Sequence, residues 1–202
     1  MNYAPILIPT LCRYTHLKRC VESLAKCTHA DKTDLFIALD YPIKDEQWEG
    51  YNKIKEYVNR IEGFNKVTII KREKNYGAIK NEMEATELIS KNYNSIIFSD
   101  DDNEFSPNFL DYIDKGLEKY EEDSKIIAIC GNRGIFKSPI DYNSNYFIVK
   151  RFSAWGYGTW FHKKYRTIYS PEELKSFLKN KDMRKRLKFY FKNHYYTVMT
   201  YI

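Results

Sequence analysis

Short apolar runs alternate with segments of helical spacing along the first two thirds of the chain. The runs begin near Ala4, Leu35, Val67, Ile96 and Ile126, at intervals of about thirty residues. Near-continuous apolar runs of this length are typical of strands that are buried on both faces, as in a parallel sheet. The alternation therefore predicts an α/β fold in which a mostly parallel central sheet is flanked by helices.

Four of the intervening or following segments carry the apolar stripe of an amphipathic helix. The stripes are Leu17, Cys20, Val21 and Leu24; Tyr51, Ile54, Val58 and Ile61; Ile79, Met83, Thr86 and Ile89; and Leu110, Ile113, Leu117 and Tyr120. Thr15 is placed to cap the first helix, and Ser106 with Pro107 is placed to start the fourth. Each stripe predicts the helix face that packs on the sheet.

The pattern changes after Cys130. A stretch rich in Gly, Asn and Ser leads to YFIVKRF (146–152), which reads as an isolated strand, and to the aromatic segment SAWGYGTWF (153–161). A basic helix is predicted from Ser170, because Ser-Pro opens it, acidic residues fill its first turn and cations follow. The second half is therefore not expected to form a sixth regular βα unit.

The charge of the chain is unevenly distributed. With 43% apolar and 30% charged residues the chain can fold around a core, and its net charge is +6. Residues 163–202 hold eleven Lys and Arg against three Asp and Glu, so we divide the chain into a domain over 1–162 and a basic helical segment over 163–202. A protein that coats nucleic acid would be basic throughout, so no nucleic-acid partner is expected. The aromatic, basic stretch KRLKFYFKNHYY keeps that alternative open.

The expected location is cytoplasmic. The N-terminus does not have the form of a signal peptide, and no apolar run approaches the roughly 20 residues that span a bilayer. The four cysteines form no CxxC pair and are expected to be reduced thiols. The basic helix suits peripheral contact with anionic lipid at the inner membrane face, with a solvated helix as the alternative.

Polar residues follow the first four predicted strands, where ligands of open parallel sheets bind. They include Thr10, Arg13, Asp40, Arg72, Lys74, Asn75, Gly77, Asp100, Asp101 and Asp102. Three adjacent carboxylates repel one another unless a cation lies among them, and Mg²⁺ or Mn²⁺ binds oxygen ligands shared with substrate phosphates. The Asp100–Asp102 triplet therefore predicts a metal site, with a solvated turn as the alternative.

The remaining polar residues are candidates for nucleotide contacts. Arg13 and Lys74 could contact phosphate or ribose, Asp40 a base or ribose, and the helix start at Asn75–Gly77 an anion. The sequence contains no GxxxxGK[ST] loop and no GxSxG elbow, and its GYG at 156–158 lacks the third glycine of a dinucleotide fingerprint. A P-loop, a nucleophile elbow and a dinucleotide fingerprint are thereby rejected.

These pieces together resemble a known family. The segments PILIPTLCRYTHLKRCVESL, FIALD, KNYGAIKNEMEA, FSDDDNEFSPNFLDYI and FSAWGYGTW, spanning Pro5 to Trp160, are similar to those of GT-A fold glycosyltransferases. The likeness is greatest to the family 2 type, with a further likeness to the N-acetylglucosaminyltransferase I group. The resemblance implies metal-dependent, inverting transfer of a sugar from a nucleotide-diphosphate sugar, usually a UDP-sugar. The acceptor would be a glycan or a lipid-linked molecule of cell-surface polysaccharide synthesis.

The resemblance also implies roles for single residues. The donor-binding residues would be Thr10, Arg13, Asp40, Lys74, Asn75, Gly77, Asp100 and Asp101. Within the triplet, which would match a DXD-type motif, Asp102 would be the direct ligand of Mn²⁺ or Mg²⁺. Trp155, Gly156 and Tyr157 would form the wall of the donor-sugar and acceptor site, with ordinary core packing as the alternative.

The general base is not identified. In related enzymes it lies beyond the aromatic segment, where this chain offers Glu172, Glu173 and Asp182 on the predicted basic helix. The chain is expected to be truncated relative to family members, to place its base unusually or to have lost turnover. A non-catalytic module that binds sugar nucleotides or glycans is therefore one alternative. A sugar-phosphate nucleotidyltransferase is another, although its G-x-G-T-R loop is replaced here by PTLCRYTHLKR.

Overall fold

The structure, a computed structural model, describes residues 3–132, 141, 142, 144, 146–149 and 152–163, and the backbone of 196–200. Its helices and strands are β1 (Ile6–Thr10), α1 (Tyr14–Leu24), β2 (Asp34–Leu39), α2 (Trp48–Tyr57), β3 (Lys66–Lys71), α3 (Ala78–Ser90), β4 (Ser95–Phe98), α4 (Phe109–Lys119), β5 (Ile126–Cys130), β6 (Tyr146–Val149), β7 (Tyr157–Trp160) and β8 (Tyr196–Thr200). The strands form one sheet in the order β3-β2-β1-β4-β7-β5-β8-β6. The predicted α/β fold is confirmed.

The first four strands form the parallel half of the sheet. Ile6 in β1 pairs with Leu35 in β2 on one side and with Ile97 in β4 on the other, and β3 pairs with β2. The β1 and β2 residues are almost completely buried because helices cover both faces of the sheet. This half therefore brings the carboxyl ends of β1, β2 and β4 to one edge.

Strand β7 enters the sheet in the opposite direction. Gly158 pairs with Ile97 of β4 and with Ile129 of β5, so β7 separates two strands that follow each other in the predicted pattern. A β-carbon at Gly158 would lie 2.5 Å from Cγ2 of Ile113 in α4. The glycine thus allows the helix to pack against the backbone of the inserted strand.

One expectation about the second half is corrected. The run YFIVKRF is not isolated, because β6 pairs with β8 in antiparallel register. Strand β8 also pairs with β5, so the sheet extends across the boundary placed at residue 162. The basic helix predicted from Ser170 lies outside the described residues.

The helix starts differ from those predicted. Helix α1 begins at Tyr14 with Arg13 at the N-cap position, and α4 begins at Phe109 with Asn108 there. Neither cap residue makes a side-chain cap hydrogen bond. Thr15 is therefore inside the first turn of α1 rather than at its cap.

The apolar stripe of α3 was predicted wrongly at its first two positions. Ile79 is 78% exposed and Met83 is 40% exposed, whereas Asn81 and Ala85 are buried. Asn81 donates to the carbonyl oxygen of Ala38 at 2.8 Å. Because a polar side chain fixes this end of the helix on the sheet, apolar periodicity alone could not identify the buried face.

Three of the cysteines are buried, and the described helices are short. Cys20, Cys27 and Cys130 are buried free thiols, and burial raises the pKa of Cys20 to about 12. Within the described part of the chain, no helix is both long enough and apolar enough to cross a bilayer. The localisation stays a prediction.

A buried carboxyl in α4 should make the stability of the protein depend on pH. Asp114 is 2% exposed and accepts the Ala4 N–H at 3.0 Å through Oδ1, and among the described residues its Oδ2 has no partner. Burial raises its pKa from 3.8 to about 7, so the folded protein binds this proton more tightly than the unfolded chain. The stabilisation is complete below the unfolded pKa and is lost as the pH rises through the folded pKa.

We expect the free energy of unfolding to fall by roughly 2–3 kcal/mol between pH 5 and pH 8 because of this group. Asp114→Asn should remove that slope, as measured by urea denaturation at both pH values. Glu118→Gln, an exposed position on the same helix, is the control and should keep it. An unchanged slope in Asp114→Asn would show that another group causes it.

Candidate functional site

A cleft of about 480 Å³ opens at the carboxyl ends of β1, β2 and β4. Seven of the eight predicted donor-binding residues line it: Thr10, Arg13, Asp40, Asn75, Gly77, Asp100 and Asp101. The other lining residues are Pro9, Leu11, Cys12, Ile43, Gln47, Ala78, Asn81 and Glu82. Lys74 is exposed and is not part of this lining. The size and the mixed apolar and polar wall suit a small ligand.

Asp40 connects the end of β2 to the loop before α3. Its carboxylate is 4% exposed and accepts the backbone N–H groups of Tyr41 at 2.9 Å, Tyr76 at 2.8 Å and Gly77 at 2.9 Å. The amide of Asn75 adds a longer contact of 3.3 Å and donates to the Tyr41 carbonyl at 2.6 Å. Asp40 therefore fixes the loop whose helix start faces the cleft.

Asp101 connects the end of β4 to the end of β1. It is 3% exposed, and its Oδ2 accepts the hydroxyl of Thr10 at 2.7 Å. Its Oδ1 accepts Nη2 of Arg13, whose Nη1 donates to Oδ2 of Asp102 at 2.9 Å. One guanidinium thus joins a buried carboxylate to an exposed one across the mouth of the cleft.

Asp100 carries the least compensated charge of the triplet. Partial burial of its otherwise exposed carboxyl raises the pKa, the nearby charges of Asp102 and Asp101 raise it further, and Arg13 lowers it. A cation among these groups would relieve the repulsion. The raised pKa of Asp100 marks the Asp100–Asp101 side of the cleft as electrostatically loaded, whereas Asp102 is not among the residues that line the cleft.

The donor set at the triplet fits a hard divalent cation. Asp100 and Asp102 are exposed and supply carboxylate oxygens, the ligand type that Mg²⁺ and Mn²⁺ prefer. Among the described residues, no group of three or more His, Cys, Asp or Glu side chains is placed to hold an ion. A cation at Asp102 would therefore bind weakly on its own and more tightly once a bound diphosphate added its oxygens.

Sequence reasoning missed part of the cleft. Asn81 is 1% exposed and accepts Nε of Arg72 at 2.8 Å, and this guanidinium lies 4.7 Å from the ring centroid of Tyr76. The sequence carried no signal for Asn81, because the predicted apolar stripe of this helix began at Ile79 and Met83 and did not include it. Ile43 and Gln47 lie in and beside a short 3₁₀ turn after β2, where the pattern carries no signal.

The aromatic segment lies at a second cavity of about 310 Å³. Trp155 is 63% exposed and lines it together with Asn103, Glu104, Phe105, Ser106, Phe109, Gly131 and Asn132. Gly156 has a φ of +72°, and a β-carbon there would lie 2.6 Å from Phe105. Tyr157 stacks on Phe98 at 5.2 Å, and burial raises its pKa. Neither Gly156 nor Tyr157 is among the residues that line the two cavities.

The parallel half-sheet, the inserted strand and the acidic triplet at the strand ends define the GT-A fold of nucleotide-diphospho-sugar transferases. Over residues 6–193 the chain matches the model of glycosyl transferase family 2. It belongs to that family. Among curated proteins, none matches the chain.

Solved structures support the fold. TarS from S. aureus is 17% identical with a TM-score of 0.55, and the match covers 98% of this chain and 36% of TarS. A second TarS structure, in complex with UDP, is 18% identical with a TM-score of 0.52, covering 97% and 60% of the two chains. The mannosyltransferase PcManGT from Pyrobaculum calidifontis, in complex with GDP-Man and Mn²⁺, is 14% identical with a TM-score of 0.51, covering 78% and 44%. The chain spans between 36% and 60% of the length of these proteins.

Proposed function

We propose that this chain binds a nucleotide-diphosphate sugar, a UDP-sugar in the first instance, and transfers the sugar to a hydroxyl of a glycan or lipid-linked acceptor. The observation that supports this most is the cleft at the strand ends, which gathers seven residues expected at the donor site. UDP in one TarS structure and GDP-Man in the mannosyltransferase show that proteins with similar folds bind such ligands.

The cleft offers complementary groups for the parts of such a donor. The N–H of Gly77 is taken by Asp40, but the first turn of α3 from Ala78 presents backbone N–H groups, and Arg13 supplies a cation, so both favour a diphosphate. Leu11 and Ile43 supply apolar wall on which a base can lie. Thr10, held by Asp101, lies at the floor and is suited to a ribose hydroxyl.

The proposed reaction is a single displacement. The oxygen of the acceptor hydroxyl forms a bond to the anomeric carbon as the bond to the diphosphate oxygen breaks, and the hydroxyl proton passes to a general base. Attack on the face opposite the leaving group inverts the anomeric centre. The candidate bases Glu172, Glu173 and Asp182 lie outside the described residues.

A divalent cation would be held by Asp102, with Asp100 beside it, and would stabilise the negative charge of the leaving diphosphate when bound. The protein itself positions the donor. Asp40 fixes the loop at Asn75–Gly77, and Asp101 orients Thr10 and Arg13.

The acceptor is proposed to lie at the cavity beside Trp155. The exposed indole offers an apolar face for a sugar ring, while Asn103, Glu104 and Asn132 supply polar groups around it. For a lipid-linked acceptor, the basic segment over 163–202 would contact anionic lipid at the inner membrane face. The likeness to the N-acetylglucosaminyltransferase I group makes N-acetylglucosamine a donor sugar to test.

A panel of nucleotide sugars should identify the donor through thermal stabilisation. With Mn²⁺ present, UDP-sugars at a hundred-fold excess over Kd should stabilise the folded protein by about 2.7 kcal/mol. For a chain of this size this corresponds to a rise of about 5–10 °C in Tm. The panel should include UDP-N-acetylglucosamine, UDP-glucose and GDP-mannose, each with and without metal.

Trp155→Ala is the matched control for this experiment. Trp155 lines the second cavity and not the cleft, so the shift in Tm with UDP should be unchanged in this variant. The donor proposal would be wrong if no nucleotide sugar raised the Tm of the native protein with either Mn²⁺ or Mg²⁺. Binding without sugar transfer would favour the non-catalytic module.

A further inference from the structure

Arg13 has two contacts that differ in their surroundings. Its Nη2 contacts Asp101, whose side chain is 4% exposed, and its Nη1 contacts Asp102, whose side chain is 42% exposed. The guanidinium is itself half-exposed and carries its charge at every accessible pH. The contact with Asp101 is thus buried at one end, whereas the contact with Asp102 is open to solvent.

The exposed contact is the one that an incoming cation can replace. Surface ion pairs contribute little to stability, so separating Nη1 from Asp102 costs little. The same oxygen, Oδ2 of Asp102, belongs to the carboxylate proposed to bind a divalent cation. Arg13 and the metal therefore compete for Asp102, and the two positive charges also repel each other.

We propose that Arg13 is an exchangeable counter-cation. In the absence of ligand, its guanidinium neutralises Asp102. When a divalent cation binds Asp102 in its place, Nη1 of Arg13 donates a hydrogen bond to the donor diphosphate instead. The buried contact with Asp101 keeps the guanidinium at the cleft during this exchange. This inference rests on the proposed function, because the cation and the diphosphate are the ligands proposed above.

The exchange predicts that loss of the Arg13 charge changes the affinities for Mn²⁺ and for UDP in opposite directions. Without nucleotide, loss of the Arg13 charge removes a competitor, so Mn²⁺ should bind more tightly. Without metal, the same loss removes a cation from the cleft, so UDP should bind more weakly. General damage to the site would weaken both ligands, and a nucleoside contact alone would leave the affinity for Mn²⁺ unchanged.

The test compares Arg13→Gln with the wild type. In the first measurement, each protein is titrated with Mn²⁺ alone, and the free ion is followed by electron paramagnetic resonance. In the second, each protein is titrated with UDP alone in the presence of a chelator, and binding is followed by calorimetry. We expect roughly a tenfold gain in Mn²⁺ affinity and roughly a tenfold loss in UDP affinity, after allowing for solvent screening at a half-exposed charge. Arg13→Lys keeps the charge and should change both affinities less.

Arg19→Gln is the matched control. Arg19 lies on the same helix and pairs with Glu104, so the charge change is identical but the acidic triplet keeps its guanidinium. Both affinities should then match the wild type. The proposal is overturned if folded Arg13→Gln binds Mn²⁺ no more tightly than the wild type, or if no variant binds Mn²⁺. Failure of the proposed function would appear separately, as wild-type protein that binds no nucleotide sugar.

Discussion

Replacement of Asp101 by asparagine is expected to reduce the affinity for a nucleotide sugar by about a hundredfold, or about 2.7 kcal/mol. The carboxylate is buried and accepts both the Thr10 hydroxyl and the Arg13 guanidinium. An amide keeps the shape but removes the charge and turns an NH₂ group toward one of these donors. Thr10 and Arg13 then lose the anchor that holds them at the cleft.

Asp101→Asn should also lower the free energy of unfolding by about 2 kcal/mol, because the buried side chain at position 101 loses its ion pair with Arg13. Calorimetry with UDP and Mn²⁺ measures the first effect, and urea denaturation measures the second. Glu104→Gln, an exposed acid on the same loop, should change neither strongly. Wild-type affinity in folded Asp101→Asn would show that Asp101 does not organise the site.

Replacement of Gly50 by alanine is expected to destabilise the protein by about 2 kcal/mol, although alanine is the better helix former. A β-carbon at Gly50 would lie 1.9 Å from the carbonyl oxygen of Cys12 and 2.9 Å from its carbonyl carbon. Helix propensity favours alanine by about 1 kcal/mol, whereas forced displacement in a packed region costs about 1–3 kcal/mol, and a 1.9 Å approach to a backbone oxygen belongs at the upper end of that range. The added methyl group would meet backbone atoms rather than a flexible side chain, so helix α2 must move away from the loop that precedes Arg13. We therefore expect the cost of this displacement to exceed the gain in helix propensity.

Urea denaturation gives the free energy of unfolding of this variant. Glu49→Ala, the neighbouring exposed position, is the control and should leave the midpoint unchanged. Because Cys12 lines the cleft, Gly50→Ala should also weaken UDP binding. A variant more stable than the wild type would mean that α2 accommodates the methyl group without moving.

The parallel half of the fold could be predicted because its strands are uniformly apolar and regularly spaced. Residues at the ends of β1, β2 and β4 then had to meet at one edge, and Thr10, Asp40 and Asp101 do line one cleft. The sequence could not show that Asp40 is surrounded by donors of the loop at 75–77. That arrangement depends on the path of the loop, which carries no periodic pattern.

The inserted strand escaped prediction for a related reason. Residues 157–160 have the sequence YGTW, too short and too mixed in polarity for a period of two to be recognised. Their strand conformation comes from pairing with β4 and β5, which are distant in sequence. Trp160 is nevertheless 1% exposed, so tertiary packing rather than local preference places this segment.

The position of β7 has a consequence for how the chain acquires its structure during synthesis. Strand β4 pairs with β1 on one side, but its other neighbour is translated some sixty residues later. Until Tyr157–Trp160 leaves the ribosome, one edge of β4 has no partner from this region and can pair with another chain. We therefore expect this edge of β4 to be open to pairing with other chains for as long as synthesis of the intervening residues takes.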